Sequence, residues 1–190
     1  RITIKAVGND LTEVNNKIIS DRNALSEFLI KQGFKEEEIE IGDHFVTDLL
    51  ANQYGDKSAK NSRYIINATT ILKTHSVDKV RKATHLRSIL VEKGIVIEDY
   101  GPSYVFTKFN DLKPEMLEEA IKNARKSANK FAEDSASKLG ALKRANQGIF
   151  LIGPAVGSEE DDEYNNKYAA RLSISKKIRL VTTLEYFLKE

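Results

Sequence analysis

The opening residues alternate. Ile2, Ile4 and Ala6 lie on one side of an extended chain and Arg1, Thr3 and Lys5 on the other, the pattern of a half-buried strand. It stops at Gly8-Asn9-Asp10, where Asp10 and Glu13 stand at capping-box spacing. Beyond that point Leu11, Val14, Ile18, Leu25, Phe28 and Leu29 form the apolar stripe of a helix closed by Gly33. A second strand runs through Ile39, Ile41, Phe45 and Val46. The polar stretch 52–62, with Gly55 inside it, reads as a hairpin loop, and Tyr64 to Lys73, rich in β-branched residues, as the returning strand. Ser76 is placed to cap a second helix carrying Val77, Val80, Ala83 and Leu90 and ending at Gly94.

In the second half, Ile95 to Ile97 and Tyr104 to Phe109 read as strand pieces parted by Gly101-Pro102. The aromatics Tyr104, Phe106 and Phe109 are then expected in a strand, mostly facing the core. A third helix is predicted with Pro114 in its first turn, an alanine-rich stripe from Met116 to Leu139, and Gly140 at its end. Two strands follow, 147–152 and 168–188, joined by an acidic loop over 157–166. In the last strand Leu172, Ile174, Ile178, Leu180, Leu184, Tyr186 and Leu188 all fall on even positions. That length exceeds the common five or six residues, so a bend is expected near Ser175 to Lys177. The order β-α-β-β-α-β-α-β-β, with three helices and antiparallel or mixed sheets, places the chain in the α+β class. It is expected to form one domain over 1–190, or two interlocked α+β subdomains sharing the strand 168–188. Helix-then-hairpin occurs twice, without a sequence repeat.

Composition narrows the chemistry more than the fold. Of 190 residues, 41% are hydrophobic and 31% charged, which suits a folded chain, and no apolar run is long enough to cross a bilayer. Lys and Arg total 30 against 28 Asp and Glu, a balance that argues against a nucleic-acid partner. With no cysteine there is no thiol nucleophile, thiolate metal site or disulfide, and three histidines leave little for a metal centre. Zero cysteines suits an oxidising compartment and is also ordinary in the cytosol.

No nucleophile elbow, Walker loop, dinucleotide fingerprint or metalloprotease helix is present. Gly153-Pro154-Ala155-Val156-Gly157 lacks the lysine-hydroxyl pair of a phosphate loop and reads as a turn. The run Glu159 to Glu163 lacks the alternation and glycine of a calcium loop and reads as solvated. His75 and His85 stand too far apart along the second helix for metal-ligand spacing. Arg63, Lys108, Arg125, Lys126, Arg171, Lys176, Lys177 and Arg179 scatter positive charge that reads as solvent-facing, or as the lining of an inner surface should subunits form a ring. Three readings of function stay open. An assembly subunit is the first, and a small-ligand or peptide-binding module, using an exposed sheet edge or a cleft lined by such polar groups as Tyr64, Thr107 and Arg171, is the second. An enzyme built from dispersed acids such as Asp48, Asp111 and Glu133 is the last. No catalytic, cofactor-binding or metal-binding residue is assigned, and the chain is expected not to be an enzyme.

Several longer phrases carry a resemblance. Gly8-Asn9-Asp10-Leu11, Gln32-Gly33-Phe34, Val46-Thr47-Asp48 and Val77-Asp78-Lys79-Val80 belong together with the stretches 104–116 and 131–140 and the closing 181–188. Together they resemble the SIMPL domain family in its bacterial cell-envelope branch, across essentially the whole chain. The resemblance implies a periplasmic or envelope-exposed α+β protein that assembles into ring- or barrel-like homo-oligomers, is loosely linked to stress tolerance and immunogenicity, and has no established catalytic residues. It also implies an N-terminal leader or anchor, and an opening strand, ahead of Arg1. Membrane attachment is then expected only through that anchor. No cofactor and no nucleic acid are expected, and a small ligand stays unidentified.

Overall fold

A computed structural model describes residues 1–51, 62–98, 101–155 and 163–190. The chain is α+β and divides into two compact units, Arg1–Pro102 and Ser103–Glu190.

In the first unit, β1 (Ile2–Gly8), β2 (Ile39–Asp48), β3 (Tyr64–Leu72) and β4 (Val96–Ile97) make an antiparallel sheet in the order β2-β3-β1-β4. One face is covered by α1 (Leu11–Lys31), whose expected stripe supplies the buried Val14, Ile18, Leu25, Phe28 and Leu29. These meet Ile4 and Ala6 of β1 and Ile66 and Ala68 of β3, all buried. The helix begins where predicted, since the Asp10 carboxylate accepts the Glu13 N–H at 2.9 Å. It ends at Gly33, whose φ of +87° is a left-handed backbone that glycine adopts without strain. Lys79 Nζ then donates to the Gly33 carbonyl at 2.7 Å and ties the helix end to the next helix. On α1 the nearly buried Asp21 accepts from Lys17 Nζ at 2.9 Å, so its charge is paired.

The predicted second helix is split. α2 (Val77–His85) and α3 (Ser88–Glu92) are separated at Leu86-Arg87, where Ile89 N–H and Leu90 N–H turn back to the carbonyls of Leu86 and Arg87. These three-residue bonds re-aim the chain so that Leu90 is buried along with Ala83. The loop 52–62 lies outside the described residues except for Ser62.

The second unit departs further from the sequence reading. Residues 104–106 are not a strand, although Tyr104 N–H donates to the Arg171 carbonyl at 2.7 Å. α4 (Phe109–Asp134) starts before Pro114, which therefore sits inside the helix. Phe109 draws the helix back: its ring meets Phe150 edge-on at 5.3 Å, and Lys113 Nζ lies 4.8 Å over it. α4 also stops short of Gly140. Ala136 takes the left-handed turn at φ +55°, and Ser137 N–H closes it on the Ala132 carbonyl at 2.8 Å. Of the expected stripe only Ala132 is fully buried, while Met116, Leu117, Ala120, Ala124 and Ala128 are half-buried and Phe131 is 78% exposed.

β5 (Lys138–Pro154) is much longer than 147–152, and the long final strand is shorter than expected. Residues 163–172 form α5 (Glu163–Leu172), and β6 runs Lys176–Lys189. Tyr168-Ala169-Ala170-Arg171-Leu172 is rich in good helix formers, and the even positions of Leu172 and Ile174 are fortuitous. The helix is then stopped by Lys176, whose Nζ donates to the carbonyls of Ala170 and Ser173 at its C-terminal end. What the pattern predicts as a bend is a change of element. The acidic loop lies largely outside the described residues, with Glu163 opening α5.

Candidate functional site

The second unit's sheet has only β5 and β6, of 17 and 14 residues, paired antiparallel from Lys138↔Lys189 to Pro154↔Lys176. Even positions of β6 (Ile178, Leu180, Leu184, Tyr186) are half-buried under α4, whereas the odd positions are exposed. Antiparallel partners share a face. The open face therefore carries Lys138 and Lys189, Arg144 and Glu185, Asn146 and Thr183, Leu151 and Arg179, and Lys177 beside Gly153. Val181 and Phe187 stand on it as odd positions of β6, 59% and 54% exposed. Ile149, next to the inward Phe150, is 79% exposed.

Two glycines hold the strands at this spacing. A Cβ on Gly148 would lie 2.2 Å from the Val181 carbonyl oxygen, and one on Gly140 would lie 2.7 Å from that of Phe187. Both sit beside irregularities in register, at Gln147/Phe150 and Leu139/Leu142. Only glycine allows the opposite backbone so near. Gly140 thus has a part in the sheet rather than at a helix end.

Among the described residues neither strand of this ribbon has a further neighbour, so its two outer edges present backbone N–H and C=O groups without strand partners. In the first unit β2 and β4 are likewise edges, and β2 exposes Ile41 (75%) and Phe45 (69%).

The other sequence candidates are divided between the two units. Asp48 and Tyr64 belong to the first unit, while Asp111, Glu133, Thr107 and Arg171 belong to the second. Asp111 and Glu133 stand near opposite ends of α4, about 33 Å apart at the α-helical rise. Asp48 is engaged by Arg63, whose Nη2 and Nε donate at 3.0 and 3.3 Å, with the Arg63 guanidinium 4.8 Å from the Tyr64 ring centre. Arg125 and Lys126 are exposed on α4, Lys108 precedes it, and Lys176 is the cap of α5. Burial pushes the Lys176 ammonium down from its ordinary value. Lys177 and Arg179 are the two predicted cations that share the open ribbon face.

His75 precedes α2 and His85 ends it; among the described residues no group of three or more His, Asp or Glu could hold a metal ion. His85 instead lines a shallow cleft of about 440 Å³ with Thr84, Arg87, Ser88, Val91 and Ile97, none of which the sequence singled out. His44 was also not singled out; its Nδ1 lies 3.2 Å from Arg22 Nη2 across the α1 face of the sheet. No described helix is long and apolar enough to cross a membrane.

The Asp48–Arg63 pair gives a pH expectation. The hydrogen bonds from Arg63 hold the Asp48 carboxyl below its ordinary range, assisted by the Leu50 N–H at 3.0 Å. A folded pKa below the unfolded one contributes stability above the unfolded value and loses it as pH falls through the folded value. The melting temperature is therefore expected to fall as pH drops below the ordinary aspartate range, and Asp48→Asn to flatten that slope. The part that remains includes Glu38, held low by the Thr74 side chain and the Lys35 N–H. An unchanged slope in Asp48→Asn would contradict the assignment.

Nothing among curated proteins matches the chain. The SIMPL family, described as "Protein of unknown function (DUF541)", matches residues 1–179. With that match spanning both units, the chain belongs to the SIMPL family.

Proposed function

We propose that this SIMPL-domain protein is a non-enzymatic subunit of the bacterial cell envelope that works by homo-oligomeric assembly, in a process related to stress tolerance. The observation that carries the reading is the β5–β6 ribbon. Its strands are long, and both outer edges are left without strand partners among the described residues. An edge of this length is a template for another strand, and proteins with no use for one usually keep edges short or blocked. Joining the β5 edge of one copy to the β6 edge of the next is a head-to-tail contact, which closes into a ring when the rotation per subunit allows. Asp111 and Glu133, near opposite ends of α4, do not form a carboxylate pair that would support a catalytic alternative.

A second reading, peptide capture by strand addition, is favoured by the same edges and by the exposed Ile41 and Phe45 on β2. Light scattering coupled to size exclusion separates the two. Assembly predicts a discrete multiple of 21.4 kDa, whereas peptide capture by a monomer predicts 21.4 kDa and a bound extended peptide.

A further inference from the structure

The open face of the ribbon differs from its edges in chemistry. Ile149, Leu151, Val181 and Phe187 project from it with half or more of their surface exposed. The exposed cations Lys138, Lys143, Arg144 and Lys189 gather at the Phe187 end of the same face and Arg179 and Lys177 stand at the Leu151 end, with Glu185 the acid paired into it among the described residues. Lys143 Nζ is 3.8 Å from Glu185 and 6.0 Å from the centre of the Phe187 ring, which places it on the same side. Large apolar side chains on a surface mark an interaction site, and an excess of cations at both ends of the same face states what the partner carries.

In place of the expectation that only an N-terminal anchor meets the membrane, we infer from this that the open β5–β6 face itself binds the surface of an anionic lipid bilayer. The lysines and Arg144 would meet lipid phosphates while Ile149, Leu151, Val181 and Phe187 enter the boundary between headgroups and acyl chains. A second copy placed face to face is disfavoured, because Lys138, Arg144 and Lys189 would oppose like charges. Nucleic acid is a poorer match, since three of the four apolar groups are aliphatic and offer bases no ring to stack on. The inference concerns the face and the assembly reading concerns the edges, so each can fail without the other.

The test is co-sedimentation of the whole chain with vesicles. Binding is expected with equal parts phosphatidylglycerol and phosphatidylcholine, little with phosphatidylcholine alone, and weaker binding as salt is raised. Lys143→Glu with Arg144→Glu is expected to lower the partition coefficient at least about tenfold, each cation near a membrane being worth several-fold. Val181→Ser with Phe187→Ser should lower it at constant charge. Circular dichroism checks that each variant folds, and the salt series on the unaltered chain stands even if one does not. Equal binding to neutral vesicles, no binding to anionic ones, or retention of nucleic acid in place of vesicles would each overturn the inference. The mass by light scattering, measured in parallel, reports on assembly separately.

Discussion

Ile18→Ala is expected to destabilise the first unit by about 2–5 kcal/mol, the usual cost of truncating a buried isoleucine. Ile18 has no exposed surface and sits in the middle of the α1 stripe, among Val14, Leu25, Ile4 and Ile66 in one cluster. The cost has two parts, the lost transfer of the missing carbons from water and the void that a sheet on one side and a helix on the other cannot close. Ile19, one residue along and 45% exposed, is the internal control, because Ile19→Ala removes less buried area and leaves no enclosed void. Urea unfolding of the two variants should show a large shift of midpoint for Ile18→Ala and a small one for Ile19→Ala. Equal shifts would mean that α1 does not pack on the sheet as described.

Gly148→Ala is expected to disrupt the ribbon, at or above the upper end of the about 1–3 kcal/mol typical of overpacking. The added carbon would fall 2.2 Å from the Val181 carbonyl oxygen, which is backbone and cannot swing aside as a side chain would. Relief requires β5 and β6 to separate locally, at the point where their register already shifts between Gln147 and Phe150. Gly153→Ala is the matched control on the same strand, since nothing lies within 4 Å of a Cβ there. Thermal unfolding should move for Gly148→Ala and stay nearly fixed for Gly153→Ala. If the ribbon edges carry assembly, Gly148→Ala should also lower the assembled mass, while Ile18→Ala, assayed where the first unit is still folded, should leave it unchanged.

The sequence was most legible where one local rule acted alone. The start of α1 at Asp10 and its end at Gly33 follow from side-chain capping and from the left-handed tolerance of glycine, both readable from adjacent residues. The α1 stripe is legible because it faces a single sheet. Errors arose where two rules agreed for different reasons. Leu172 and Ile174 continue the even-numbered pattern of β6, yet the Tyr168 to Leu172 segment is helical and is capped by a lysine from the following strand. Pro114 looks like a helix start, but the anchor that sets the start is the ring of Phe109 against Phe150, a contact 41 positions apart along the chain. Gly140 looks like a helix end, whereas the left-handed residue is Ala136 and the glycine serves a backbone approach from Phe187. The basic and apolar open face was invisible in sequence because it is composed by register. Arg144 and Glu185, or Leu151 and Arg179, become neighbours only once the two strands pair.

The claim that the chain works by assembly is tested most directly by its mass in solution, measured by light scattering across a range of concentrations. Assembly through the ribbon edges predicts a single discrete species at a multiple of 21.4 kDa, reduced by Gly148→Ala and retained by Gly153→Ala. A mass of 21.4 kDa at every concentration would contradict it and leave the ribbon edges to a peptide strand instead.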